Sequence, residues 1–248
     1  GTGRYREPLV PTSVRDVVEK AVKHVSHQSI FVCLAKGMEH MTHKTMDEVM
    51  KDYLTLDRIT LLYGPMLASE LTAGKHGSAI AAATSPKTSQ TLQDIFHKTS
   101  LHVTRSSDIH GVGLAGILKN VYAVGCGMAD GLGWGNNLRG TFIALSLQEM
   151  GEFIEKQGSS YYVSLSISGI ADLIATGSCQ DSYNHCAGEE IAKNGSTKKI
   201  SEGIRSLPQI MYLADGEESD FPIIKKLNAI VNGHVPPASL MDIIKNAE

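Results

Sequence analysis

Cysteine is scarce in these 248 residues, and none of the four (Cys33, Cys126, Cys179, Cys186) forms a CxxC pair or falls at zinc-ligand spacing. That excludes a disulfide framework and a thiolate-bound structural metal. It leaves reduced thiols, as expected of a cytoplasmic protein with no metal. Apolar runs approaching the ~20 residues of a membrane span are missing, and no basic start with an apolar core marks a secretory leader. No membrane partner is therefore expected. Strong charge of either sign is absent: 23 Lys and Arg stand against 26 Asp and Glu, a net charge of -3. Without a basic field, nucleic acid is not an expected partner. No internal repeat or low-complexity tract is present. Before Ile109 the chain also lacks a G-x-G-x-x-G opening a helix after a strand, where backbone amides hold a dinucleotide pyrophosphate. Its N-terminal GxG, Gly1-Thr-Gly3, has no strand before it and Arg4-Tyr5-Arg6 after it.

What the sequence does have is concentrated in residues 109–139. From Ile109 to Ala129 the pattern predicts a helix of about six turns at ~3.6 residues per turn. Its apolar positions (Ile109, Val112, Leu114, Ile117, Leu118, Val121, Val124 among them) run round most of the circumference, which marks a helix buried on nearly every side. Into it the sequence places one cation and one amide, Lys119 and Asn120. A buried ammonium is costly unless paired, and desolvation lowers its pKa toward values useful for proton transfer. The alternative is a lysine that snorkels to the surface or closes a core ion pair. The exit, Gly131-Leu-Gly-Trp-Gly135, allows a tight turn, and Asn136-Asn137 are expected to cap the next helix.

Before that helix, strands and helices alternate. A helix capped by Thr12 or Ser13 follows a strand end and loop at Pro8 to Pro11, and Ile30 to Ala35 reads as a buried parallel strand. Thr45 and Glu48 form a capping box. Strands are expected at Ile59–Tyr63, Ser78–Thr84 and Leu101–Thr104, with a helix from Ser85-Pro86 between the last two. The alternation implies an α/β layer with crossover connections. After Ile109 only helices are predicted: Leu138–Ile154, then, past a polar loop from Gly177 to Asn184, Glu189–Lys193, Pro222–Val231 and Ala238–Lys245. The boundary falls near Ser107, giving units 1–107 and 108–248.

Three further places could carry chemistry. Lys36 stands at the carboxyl end of a predicted parallel strand, where open α/β sheets bind ligands; the alternative is an exposed loop lysine. Gly64-Pro65 is a turn, and Glu70 beyond it reads as an exposed or capping carboxylate. Asp172 is a single charge in the apolar segment Gly169–Thr176. A buried carboxylate needs a partner, for which Lys119 is the natural candidate; the alternative is a helix cap.

The run LKNVYAVGCGMADGLGWGNN, residues 118–137, resembles the central helix of the NAD(P)-dependent glycerol-3-phosphate dehydrogenases. FVCLAKGMEH, GPMLASE, GIADLIAT and QDSYNHCAG resemble further segments of that family, so that the resemblance spans about residues 8–246. It implies an α/β N-terminal part with an incomplete Rossmann-like sheet, followed by an all-α C-terminal domain, the chain beginning late in the nucleotide domain. It implies interconversion of dihydroxyacetone phosphate and sn-glycerol 3-phosphate with NAD or NADP, in a cytoplasmic homodimer of glycerophospholipid metabolism. The partner is a small phosphorylated substrate. By the same resemblance Lys119 is the proton donor and acceptor and Asp172 assists it. Lys36, Gly64, Asn120, Thr176, Ser182 and Asn184 contact substrate, and Lys36, Ala68, Tyr183 and Glu202 lie at the cofactor. The sequence departs from the pattern at Tyr63, at Met66 (usually a hydroxyl residue) and at Tyr183, where the family has an arginine that holds phosphate. His185 could restore part of that charge. These departures leave an alternative: an inert homologue that kept the fold for binding or assembly.

Overall fold

Helix α5 (Ile109–Gly131) runs through the middle of the molecule, and every residue from Gly111 to Ala129 is buried. Asp108 starts it, accepting the Gly111 N–H at 2.9 Å. By length and composition it is apolar enough to cross a membrane, a property the glycines, Lys119 and Asn120 hide from a search for unbroken apolar runs. All of that span is enclosed by protein. The computed structural model describes residues 12–215 and 220–247. The loop expected at Pro8–Pro11 and the Gly1-Thr-Gly3 stretch lie outside them.

Upstream of α5, among the described residues, stand four strands in the order β1-β2-β3-β4: β1 (Phe31–Cys33), β2 (Ile59–Tyr63), β3 (Gly77–Ala82) and β4 (Leu101–Ser106). Between them lie α2 (Met46–Lys51), α3 (Ala68–Thr72) and α4 (Pro86–Phe96), after α1 (Thr12–Ala21). The Thr45 N–H donates to Glu48 Oε2 at 2.9 Å, as the capping box requires. Ser85 caps α4 by accepting the Thr88 N–H, with Pro86 in the first turn. Two pairs are parallel, β1 with β2 (Phe31 opposite Ile59) and β3 with β4 (Gly77 opposite Leu101). The middle pair is antiparallel, Leu61 opposite Ala82. The crossover expected there is replaced by the Gly64-Pro65 turn and the short α3, which let β3 start at the end of the sheet where β2 stops. Gly64 makes this turn at φ +153°, and a Cβ there would sit 2.4 Å from the Ser78 carbonyl oxygen. β1 is shorter than predicted and only half-buried, because it ends the row and Leu34 already faces solvent.

Helices follow α5: α6 (Gly135–Lys156), α7 (Asp172–Gly177), α8 (Tyr183–Asn194), α9 (Glu202–Leu213), α10 (Pro222–Val231) and α11 (Met241–Lys245). The all-helical character is as expected, but α7 is an addition, and α8 starts six residues before the expected Glu189, within the end of the expected polar loop, because Ser182 caps it there. Asn136 and Asn137 do not cap α6. They lie in its first turn, after Gly133 and Gly135 have swung the chain through positive φ, and Trp134 takes the cap position without a side-chain bond. α9 was not foreseen, because Pro208 inside it reads as a breaker. α5 and α8 meet backbone to backbone. A Cβ on Gly188 would lie 1.9 Å from the Val124 carbonyl oxygen, and one on Gly127 2.0 Å from that of His185. One continuous core joins β2 through α5 to Phe142, Phe153 and Leu227, while Leu62, Ala79, Ala81 and Leu92 pack a smaller one on the other face of the sheet.

Candidate active site

The carboxyl end of β1, the middle of α5 and the start of α7 converge on one carboxylate. Asp172, buried in the first turn of α7, receives Lys36 Nζ at 2.5 Å on Oδ2 and Lys119 Nζ at 3.2 Å on Oδ1. Lys119 Nζ also donates to Thr176 Oγ1 at 2.7 Å, one turn along α7. Lys36 Nζ reaches the Gly64 carbonyl oxygen at 3.3 Å and lies 5.6 Å from the centroid of the Tyr63 ring. The pairing of Asp172 with Lys119 agrees with the sequence reading; the closer partner, Lys36, was not foreseen.

The charges explain how such a cluster can be buried. Enclosure pushes the Lys119 ammonium down, the neighbouring charge of Lys36 pushes it further, and Asp172 opposes both, leaving it at about 8. For Asp172, burial acts to raise the pKa, but the two ammonium groups outweigh it and hold the carboxylate below its ordinary range. The cluster is therefore an ionised Asp172 between two lysines, one of them able to change protonation state near neutral pH.

These groups stand in the wall of a cavity of about 740 Å³. Lys36, Gly64, Ala68, Thr176 and Glu202 also line it, and so does Met66. Burial raises the pKa of Glu202. Asn120 stands behind this wall, its Nδ2 donating to Glu202 Oε2 at 3.0 Å. Asn184 stands one step further back, donating to Asn120 Oδ1 at 3.0 Å and accepting the Gly203 N–H at 2.8 Å. Ser182 and Tyr183 are not among the lining residues: Ser182 caps α8, and Tyr183 is 56% exposed. His185 turns to Asp130, Nε2 to Oδ2 2.8 Å, and does not line the cavity. Glu70 pairs with Lys75 at 3.0 Å on the surface, as its sequence context suggested. Tyr63, read from sequence only as a departure, proves structural. Its hydroxyl donates to the Ala35 carbonyl oxygen and its ring fills the space beside Gly116.

Two family models match this chain. One, the NAD-dependent glycerol-3-phosphate dehydrogenase C-terminus, covers residues 108–242; the other, the N-terminus of the same family, covers residues 9–89. The chain belongs to this family. It is 31% identical, over 89% of its length and 68% of the relative's, to a protein of Sphingopyxis alaskensis named glycerol-3-phosphate dehydrogenase [NAD(P)+] 2. It is 29% identical to a Staphylococcus carnosus protein named glycerol-3-phosphate dehydrogenase [NAD(P)+], spanning 94% of the chain and 73% of that protein. In fold it resembles solved glycerol-3-phosphate dehydrogenases from Coxiella burnetii (TM-score 0.86, 22% identity, 96% of this chain and 75% of that one) and Plasmodium falciparum (TM-score 0.83, 19% identity, 95% and 71%). The family's cofactor is NAD or NADP. The cavity walls are largely apolar, from Phe31, Val32 and Leu67, and its polar corner holds Lys36 and Glu202.

Proposed function

We propose that this chain is the catalytic part of an NAD(P)-dependent glycerol-3-phosphate dehydrogenase, with the division near Ser107 separating its cofactor-side sheet from its helical substrate side. The observation that carries the reading is the buried Lys119–Asp172–Thr176 cluster opening into the cavity of a chain of this family. Lys36 and Glu202 would hold the nicotinamide side of the cofactor, which when bound would supply or accept the hydride. Lys119 gives its proton to the oxygen of the substrate carbonyl during reduction and takes it back during oxidation. Asp172 and Thr176 fix the direction of the ammonium, so the proton is delivered from one side. Lys36, held between Asp172 and the Gly64 carbonyl, presents a second positive charge to the alkoxide that develops. Asn120 positions Glu202 at the cofactor side. On the resemblance alone, the reading extends to a cytoplasmic homodimer.

The test is oxidation of NADH and NADPH by the full-length protein with dihydroxyacetone phosphate. Turnover is expected, and Lys119→Ala should lower it by roughly 100-fold or more, the usual scale of general acid-base catalysis. Alanine preserves the helix. No oxidation of either nucleotide by the folded wild type would sink the reading.

A further inference from the structure

A phosphorylated substrate brings a dianion into a cavity whose own cations are already engaged. Lys36 and Lys119 both face Asp172. Tyr183, at the family's arginine position, offers one hydroxyl and no charge, and it points out from the start of α8. His185 is spent on Asp130, and Lys199, beyond α8, is paired to Glu190 at 2.6 Å.

One guanidinium beside the cavity is not engaged. Arg205 lies three residues after Glu202 on α9, about 60° round the helix at 3.6 residues per turn. It therefore flanks Glu202, which meets the cavity, without itself lining it. The buried residues Gly203, Ser206, Leu207 and Ile210 fall on the other flank of Glu202, so Arg205 stands on its exposed flank. Arg205 is close enough for its charge to act on the Glu202 carboxyl. Its side chain is exposed and makes no hydrogen bond or ion pair among the described residues.

We propose that Arg205 binds the substrate's phosphate, supplying from α9 the charge that Tyr183 does not supply from α8. A guanidinium gives paired, charge-assisted hydrogen bonds to phosphate oxygens, and its long side chain can swing from the rim over a ligand in the cavity. Recognition then lies at the rim, away from the proton-transferring lysine. The inference rests on the dehydrogenase reading.

The experiment compares wild type, Arg205→Gln and Arg205→Lys, full length, with dihydroxyacetone phosphate and with unphosphorylated dihydroxyacetone. Arg205→Gln should raise KM for the phosphorylated substrate about 10- to 100-fold, the range for hydrogen bonds to a charged group. It should leave kcat, KM for the nucleotide and turnover of dihydroxyacetone close to wild type. Arg205→Lys should fall between, keeping the charge but losing the paired geometry. An unchanged KM in an active enzyme, a loss equal for both substrates, or a change only in the nucleotide KM would overturn the assignment. Calorimetric titration with inorganic phosphate separates the two levels of failure. A wild type that turns nothing over yet binds phosphate more tightly than Arg205→Gln defeats the dehydrogenase reading alone. Equal phosphate binding by both defeats the role of Arg205.

Discussion

Burial and the charge of Lys36 bring Lys119 to about 8, and that places its titration inside the working range. During reduction the protonated lysine is the useful form, and during oxidation the neutral one. Reduction of dihydroxyacetone phosphate should therefore fall as pH rises through about 8, and oxidation of sn-glycerol 3-phosphate should rise through the same region. Asp172→Asn removes the carboxylate that holds the ammonium up, so both breaks should move to lower pH. Breaks that stay in place would detach Asp172 from Lys119. The same titration has a sign for stability. The folded pKa lies below the ordinary 10.5, so between about 8 and 10.5 the unfolded chain binds more protons. This group's contribution to stability then rises with pH across that window, and below it the folded state carries the full cost of a buried ammonium. Lys119 and Asp172 were legible because each is a lone charge in an apolar stretch. The tie from Lys36 to Asp172 was not, since periodicity says nothing about which residues meet across 136 positions. Arg205 left no mark in the sequence, because an exposed arginine looks the same with or without a ligand to bind.

Among the elements, the crossing of α5 and α8 is the one with least room. A methyl group at Gly188 would meet the Val124 carbonyl at 1.9 Å, so the two helices would have to part. Gly188→Ala should cost about 1–3 kcal/mol, the range for overpacking a close contact. Gly195 is a useful contrast. It closes α8 at φ +77° with nothing within 4 Å of an added Cβ, so alanine there meets only backbone strain, about 1 kcal/mol. Urea denaturation of both variants checks the order, and a Gly188→Ala protein as stable as Gly195→Ala would mean the helices separate freely. Element ends marked by local chemistry were readable: Ser85-Pro86 opens α4, and Pro222 with Asn232-Gly233 bounds α10. The antiparallel turn between β2 and β3 was not, because the Gly64-Pro65 turn fixes where the chain bends and leaves the direction of the next strand to the sheet. α9 was hidden by Pro208, which sits on the helix's exposed side and reads in sequence as a breaker.

Across the whole molecule, the division into an α/β part and a helical part followed from a change of period at Ile109. The joining of both by one core did not, since α5 carries apolar residues all round and does not announce which neighbours it takes. That joining has a consequence for the order of events in refolding. Helices α5 and α6 are local structures and can form from neighbouring residues alone, whereas Lys36 and Asp172 close a loop of 136 residues, which is entropically late. Their ion pair is a signal of completion that no partly assembled chain can imitate. After dilution from denaturant, helical circular dichroism should return first and nucleotide oxidation only after a measurable lag. Catalysis that returns in step with the first helical signal would show that the long loop closes early.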